Sequence, residues 1–323
     1  MKKTLIFTIA CLFALTHAIG GNTQDSQAQS VYSTDLPAYV IYDAQGEKVS
    51  FAQMIDELLS ADVCLFGELH NDPISHWLEL SVAKHLYQNK GQDLVLGAEM
   101  FEADNQLLID EMVLGFIDMD TYVSASVLWP NFTTDYKPLV VFAQSAGLKF
   151  VCTNIPRRYA NIVYKKGIEY IDSLSSQAQS YLPNLPIHFN LEEKAYKDMA
   201  ASFPSDEQFE AMKGKMMSGA PQAMMASKPS NLVKAQAIKD ATMAHFIVEN
   251  WEKGKLFYHF HGEFHSANHS GICYYLKYYN PEITYKTISV NKSEDPLEFD
   301  AAQSRADFNI VVQGDMTQTY ESN

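Results

Sequence analysis

The chain has 323 residues, 47% of them hydrophobic and 20% charged, with 39 acidic against 24 basic side chains and a formal net charge of −15. That length buries a large core without staples, and the apolar share excludes a mainly disordered protein. The acidic balance excludes a dedicated nucleic-acid binder, and four cysteines are too few for a disulfide scaffold. The expectation is one globular domain carrying an insertion.

Lys2 and Lys3 precede an uncharged, mostly apolar stretch from Leu5 to Leu15, and Thr16-His17-Ala18 fits a small-x-small cleavage site. Residues 1–18 therefore read as a secretory signal peptide, which implies export to the periplasm or cell envelope. A lipid anchor at Cys11 is disfavoured, because it leaves only Leu5 to Ala10 as the apolar stretch and Thr8 starts a lipobox poorly. Cleavage removes two of the 24 basic residues and none of the 39 acidic ones, which takes the formal charge from −15 to −17. Residues 19–34 read as a flexible leader and 35–323 as the folded domain.

Short apolar runs then alternate with helical patterns. Asp62–Gly67, Asp93–Ala98, Lys149–Thr153, Lys255–His261, Thr284–Val290 and Asn309–Gln313 read as buried strands. Cys64 and Cys152 lie inside such runs, where a thiol is buried and inert. Asn71-Asp72-Pro73 starts a helix with Ile74, Trp77, Leu78, Val82 and Leu86 on one face. Pro138 opens another helix and Gly147 closes it. Ser230 caps a long helix with the stripe Val233, Ala237, Ala244, Val248 and Trp251. Residues 165–229 carry no convincing strand and are rich in Met, so they read as a helical lid. The alternation predicts an α/β fold: a mostly parallel central sheet, helices on both faces and an inserted helical lid.

Ligands bind beyond the carboxyl ends of parallel strands. Those ends carry Gly67-Glu68-Leu69-His70, with His76 in the following helix; Glu99 and Glu102; Asn154-Ile155-Pro156-Arg157; and Gly262-Glu263-Phe264-His265, with His269 four residues on. Gly-Glu-x-His thus occurs twice, each time after a strand. Its glycine lets the chain leave the strand sharply, and its Glu and His can face one crevice. His265 and His269 stand at helical spacing. Histidine with carboxylate serves general acid–base work or binds a divalent metal, so Glu68, His70, Glu99 and His265 are candidate catalytic residues and His70, His265 and Glu99 candidate metal ligands. His85, His188 and His245 read as packing or capping residues, and His259 and His261 share one strand face, so at least one of them is packed. Arg157, beside a helix start, suits a ligand carboxylate or a salt bridge to a nearby acid. Asn154, His76 and His269 would border the same ligand. Met216 and Met217 offer either a soft surface for a flat apolar ligand or core packing of the insertion.

At these residues the chain resembles the ChaN-type haem-binding uptake proteins of the Tiki superfamily, distant relatives of erythromycin esterases and TraB-type proteins. The matching blocks are Gly67–His70 with His76, Glu99-Met-Phe101 with Gln106, Trp129 to Tyr136 with Pro138, Asn154–Arg157, Gln236–Ala244, and Gly262–His265 with Gly271. They run in family order over residues 58–290. The last block departs from the pattern: Glu263 replaces a small residue, and a proline is expected near Cys273. The resemblance implies an α/β core with a helical insertion, haem as ligand, a role in haem or iron acquisition with outer-membrane uptake machinery, and a homodimer holding haem between subunits. It also implies Tyr and His near the iron. Tyr159, Tyr164, Tyr181 and Tyr196 are the tyrosines in or near the insertion, and none aligns with a motif. A metal- or histidine-dependent hydrolase of an ester, lactone or peptide is the alternative. A third reading is a plain binding module that keeps the cluster as a relic.

Overall fold

A computed structural model describes residues 36–215 and 227–321. The signal segment, the leader and the methionines Met216 and Met217 lie outside the described residues. Seven strands form one sheet: β1 Tyr39–Asp43, β2 Val63–Glu68, β3 Leu94–Glu102, β4 Phe150–Asn154, β5 Leu256–Gly262, β6 Tyr285–Ser293 and β7 Phe308–Gln313. Their order is β1-β7-β6-β2-β5-β3-β4, parallel throughout except for the antiparallel β1–β7 edge pair. The six apolar runs seen in the sequence are β2 to β7. β1 escapes periodicity because an edge strand is only half covered and its apolar signal is short.

Eleven α-helices are present among the described residues. They are α1 Phe51–Leu58, α2 Pro73–Lys90, α3 Gln106–Val113, α4 Met119–Ala125, α5 Lys137–Ala146, α6 Arg157–Lys166, α7 Ser176–Gln179, α8 Lys194–Ala201, α9 Asp206–Lys215, α10 Pro229–Asn250 and α11 Ile272–Tyr279. None of the described helices is long and apolar enough to cross a membrane. Strand side chains alternate between two cores. Cys64, Phe66, Leu96, Tyr258 and Phe260 face α1, α2, α3 and α5, whereas Val63, Leu65, Val95, Val151 and Phe257 face α10 and α11. Residues 168–215 contain no strand among those described and pack on α10. Val163, Ile171 and Leu182 meet Ala235 and Ile238, and Tyr196 joins the α10 core.

Two helix faces differ from the sequence pattern. On α2 the buried face is Ser75, His76, Leu78, Glu79, Val82, Ala83 and Leu86. Trp77 is 54% exposed and leans on Tyr39 of the edge strand, its ring 5.8 Å away. The helix is thus rotated so that a carboxylate, Glu79, replaces the tryptophan in the interior. On α10, Lys228 occupies the cap position ahead of Pro229, and the Ser230 hydroxyl donates to Asp206 Oδ2 at 2.7 Å. Pro138 and Gly147 do bracket α5, with Gly147 in the left-handed region at φ 63°. Cys64, Cys152 and Cys273 are all buried and free.

Candidate functional site

β2, β5 and β3 are neighbours, and their register sets Gly67 beside His261 and Glu68 beside Gly262. The two Gly-Glu-x-His segments therefore leave the sheet side by side. Their glycines make room rather than a sharp turn. Gly262 has φ −56° and ψ 137°, which any residue adopts, but a Cβ there would lie 2.7 Å from His70 Nε2. A Cβ on Gly67 would lie 3.0 Å from Glu263 Cα. Each motif's glycine thus accommodates the other motif's chain.

The two glutamates are not equivalent. Glu68 is buried, and its Oε1 accepts from His70 Nδ1 at 2.6 Å and from the Tyr136 hydroxyl at 2.7 Å. Burial acts to raise the Glu68 carboxyl, but a hydrogen bond with Glu79 and the neighbouring His76 and His70 outweigh it and bring it down to about 2. Burial also acts to lower His70, and the bonded Glu68 carboxylate overcomes this, so the imidazole rises above its ordinary value. Glu263 instead accepts from Ser289 Oγ at 3.1 Å and Arg305 Nη1 at 3.2 Å, away from His265.

His70 Nδ1 is spent on Glu68, so its Nε2 is left unbonded beside Gly262 at the strand ends; the side chain is 42% exposed and its ring lies 4.9 Å from that of Trp129. Tyr136 arrives on a short π-helical segment, Phe132–Tyr136, a local irregularity of the kind that re-aims side chains at functional sites. Behind Glu68, His76 Nδ1 lies 3.1 Å from Glu79 Oε2 and 3.7 Å from Glu68 Oε2, and its Nε2 faces the His70 carbonyl at 3.2 Å and Asp135 Oδ2 at 3.4 Å. Burial, together with the charges of Glu68 and Asp135, holds the Glu79 carboxyl well above the ordinary range. Asn131 donates to the His70 carbonyl at 2.8 Å and to Asp135 at 2.6 Å.

A second cluster centres on His265. Its Nε2 lies 3.2 Å from Glu99 Oε1, and its Nδ1 bonds Asp240 Oδ1 on α10. Burial acts to lower this imidazole, yet the two carboxylates raise it to about 10, so it is a cation held between them. Burial likewise works to raise Glu99, but His265 carries it well below the usual carboxylate range. The Gly262 N–H donates to Glu99 Oε2 at 2.9 Å, Asn154 Nδ2 donates to the Glu99 carbonyl at 2.9 Å, and Tyr196 donates to Asp240 Oδ2 at 2.7 Å. The β3–β4 register shifts between Ala98 and Glu102, so the strand is irregular around Glu99.

His259 and His261 are both packed. The Thr153 hydroxyl donates to the Ala98 carbonyl at 2.9 Å, so its oxygen accepts from His259 Nε2–H at 2.7 Å. His259 Nδ1 then accepts from His261 Nδ1–H at 3.0 Å. Burial, reinforced by His265, pushes His261 down to about 3, so it is neutral. His85, His188 and His245 make packing or carbonyl contacts outside the cluster: His85 to the Ser81 carbonyl, His188 stacked on Tyr278, and His245 edge-on to Phe246.

The structure brings Glu68, His70, Glu99, Asn154 and His265 together around Gly262. Arg157 stands at the adjoining strand ends, ion-paired with Glu102, which also accepts the Arg157 backbone N–H at 3.0 Å; its side chain is 44% exposed. His76 is buried among carboxylates beneath the crevice. His269 is a correction to the helical pairing. Asn268 and His269 have positive φ (57° and 55°), which breaks the helix, so His265 is buried while His269 is exposed and its ring lies 6.0 Å from that of Tyr285. Sequence reasoning missed Glu79, Asp135 and Asp240. Two of them had a signal: a carboxylate inside an apolar stripe, Glu79 between Leu78 and Val82 and Asp240 between Ala237 and Ala244.

A family model described as haem-binding uptake, Tiki superfamily, ChaN, matches residues 54–276. None of the curated proteins matches the sequence. Among solved structures, the fold is similar to ChaN of Campylobacter jejuni, described with cofacially bound haem, at 18% identity and a TM-score of 0.61, covering 85% of this chain and 97% of that one. A Bacillus cereus protein is similar at 14% identity, with a TM-score of 0.39 over 74% of this chain and 68% of that one. An erythromycin esterase variant in its open conformation is similar at 12% identity, with a TM-score of 0.41 over 85% and 83%. The family match spans well over half of the sequence, from before β2 into α11, and takes in both Gly-Glu-x-His segments: the chain belongs to the haem-binding uptake family of the Tiki superfamily, the ChaN family.

Proposed function

We propose that this chain is an exported protein that binds haem as cargo in haem or iron acquisition, with His70 meeting the iron. The observation that carries the assignment is the Glu68–His70 pair. The Nδ1–H of His70 is held by a buried carboxylate at 2.6 Å, and its Nε2 makes no hydrogen bond among the described residues. A carboxylate-backed imidazole whose second nitrogen makes no hydrogen bond is a fitting axial ligand for a porphyrin iron. Trp129 supplies an aromatic face beside it, and the exposed part of the Arg157 guanidinium is available to a propionate. Tyr196, bonded to Asp240 in the interior, is withdrawn from ligand duty. A homodimer sharing the haem and hand-over to outer-membrane machinery belong to the same proposal, supported by family membership, as is export on the strength of residues 1–18. Haemin titration of the purified protein tests it: a saturable Soret shift is expected, and no shift at micromolar haemin contradicts it.

A second reading rests on the same pair. Oriented by Glu68, His70 is also placed as a general base at the strand ends, with Glu99 and His265 near it, as a hydrolase requires. Turnover in an ester, lactone and peptide panel that disappears in His70→Ala would favour it over cargo binding.

A further inference from the structure

We propose that Glu68, His76 and Glu79 form a site for a divalent first-row metal ion, separate from the haem crevice and one layer beneath His70. Each of the three offers one ligand atom, and these atoms lie within 4.8 Å of one another. All three side chains are buried: Glu68 is 1% exposed, His76 7% and Glu79 0%. Two of their oxygens, Glu68 Oε2 and Glu79 Oε1, accept from no N–H or hydroxyl donor. On that side the two carboxyls have only the hydrogen bond with each other, beside the His76 imidazole, and a divalent cation would take the place of the proton they share.

The elements around the site aim its ligands. His76 and Glu79 stand three residues apart on the buried face of α2, so they project together. Glu68 comes from the end of β2, and its Oε1 is occupied by His70 and Tyr136, which leaves Oε2 for the metal. His76 presents Nδ1 to both glutamates, while its Nε2 faces the His70 carbonyl at 3.2 Å and Asp135 Oδ2 at 3.4 Å. A ligating histidine ordinarily donates its other N–H to a carbonyl or carboxylate in this way, which fixes the tautomer. Asp135 is itself held by Asn131 and by Thr319 at 2.8 Å, so the C-terminal tail closes this side. One imidazole nitrogen and two carboxylates suit Zn2+, Mn2+ or Fe2+ and exclude thiolate-selective metals. The His265 cluster is unlike it, because there both ring nitrogens face carboxylates and the imidazole is itself the cation.

The test uses the full chain, free of haem and of any affinity tag. After chelator treatment it is loaded separately with Zn2+, Mn2+ and Co2+, passed through a desalting column and analysed for metal. The expected result is about one ion retained per chain, a higher melting temperature, and Co2+ d–d absorption without a thiolate charge-transfer band. Glu79→Gln and His76→Gln should lose the ion, and His265→Gln should keep it. No retained metal and no Co2+ absorption in the wild type overturns the proposal whether or not the variants fold. Equal retention in Glu79→Gln also overturns it. Because no haem is present, failure of haem binding and failure of this site are separate results.

Discussion

A Cβ on Gly262 would stand 2.7 Å from Nε2 of His70, although 192 positions separate the two residues in the chain. The contact joins the two halves of the site. His70 is fixed from behind by Glu68 and flanked by Trp129, while Gly262 hands its N–H to Glu99. Gly262→Ala should therefore push the imidazole off Glu68. Overpacking of this kind costs about 1–3 kcal/mol. Urea denaturation should show that loss, and haemin affinity should fall more in this variant than in an equally destabilised core variant.

Tyr136 has no exposed surface, and its hydroxyl donates to Glu68 Oε1. Tyr136→Phe removes one of the two donors to Oε1 of this buried carboxylate. Hydrogen bonds to charged groups contribute about 1.5–3 kcal/mol, and a loss in that range is expected in urea denaturation. Restoration of wild-type stability by the phenylalanine would contradict the role given to the hydroxyl.

His265 makes stability depend on pH in a stated direction. Its pKa rises from 6.5 to about 10 in the folded protein. A group raised by folding contributes stability that is full below its unfolded value and is lost as pH climbs through the folded one. Unfolding free energy should therefore decline between pH 6.5 and 10. Asp240→Asn should flatten that decline, and removing one partner of a buried pair should cost about 3 kcal/mol near neutral pH. Denaturant titrations across the range check both. Glu99, lowered by the same imidazolium, contributes the opposite limb: its stability is present above pH 4.5 and is lost on acidification.

How much of this was legible in the sequence depended on the range of the forces involved. β2 to β7 were readable because strands covered on both faces are continuous apolar runs. The Gly-Glu-x-His pair was readable because chain position alone puts both segments at strand ends. Which way Glu263 turns was not readable. Local spacing treats it as the twin of Glu68, but the choice is made by Arg305 and Ser289, distant in sequence. Asp240 as the partner of His265 depends on how α10 crosses the sheet, which no local pattern encodes. Positive φ at Asn268 and His269 likewise defeats an argument from helical spacing.

The most direct measurement is a parallel haemin titration of the wild-type protein and His70→Ala, followed in the Soret and visible bands. Saturable binding with histidine-ligated features is expected in the wild type. In His70→Ala, whose fold is checked by circular dichroism, loss of those features and an affinity about tenfold weaker, roughly 1.4 kcal/mol, are expected. An unchanged isotherm and spectrum in His70→Ala would contradict the proposed ligation and would place the haem away from the Glu68–His70 pair.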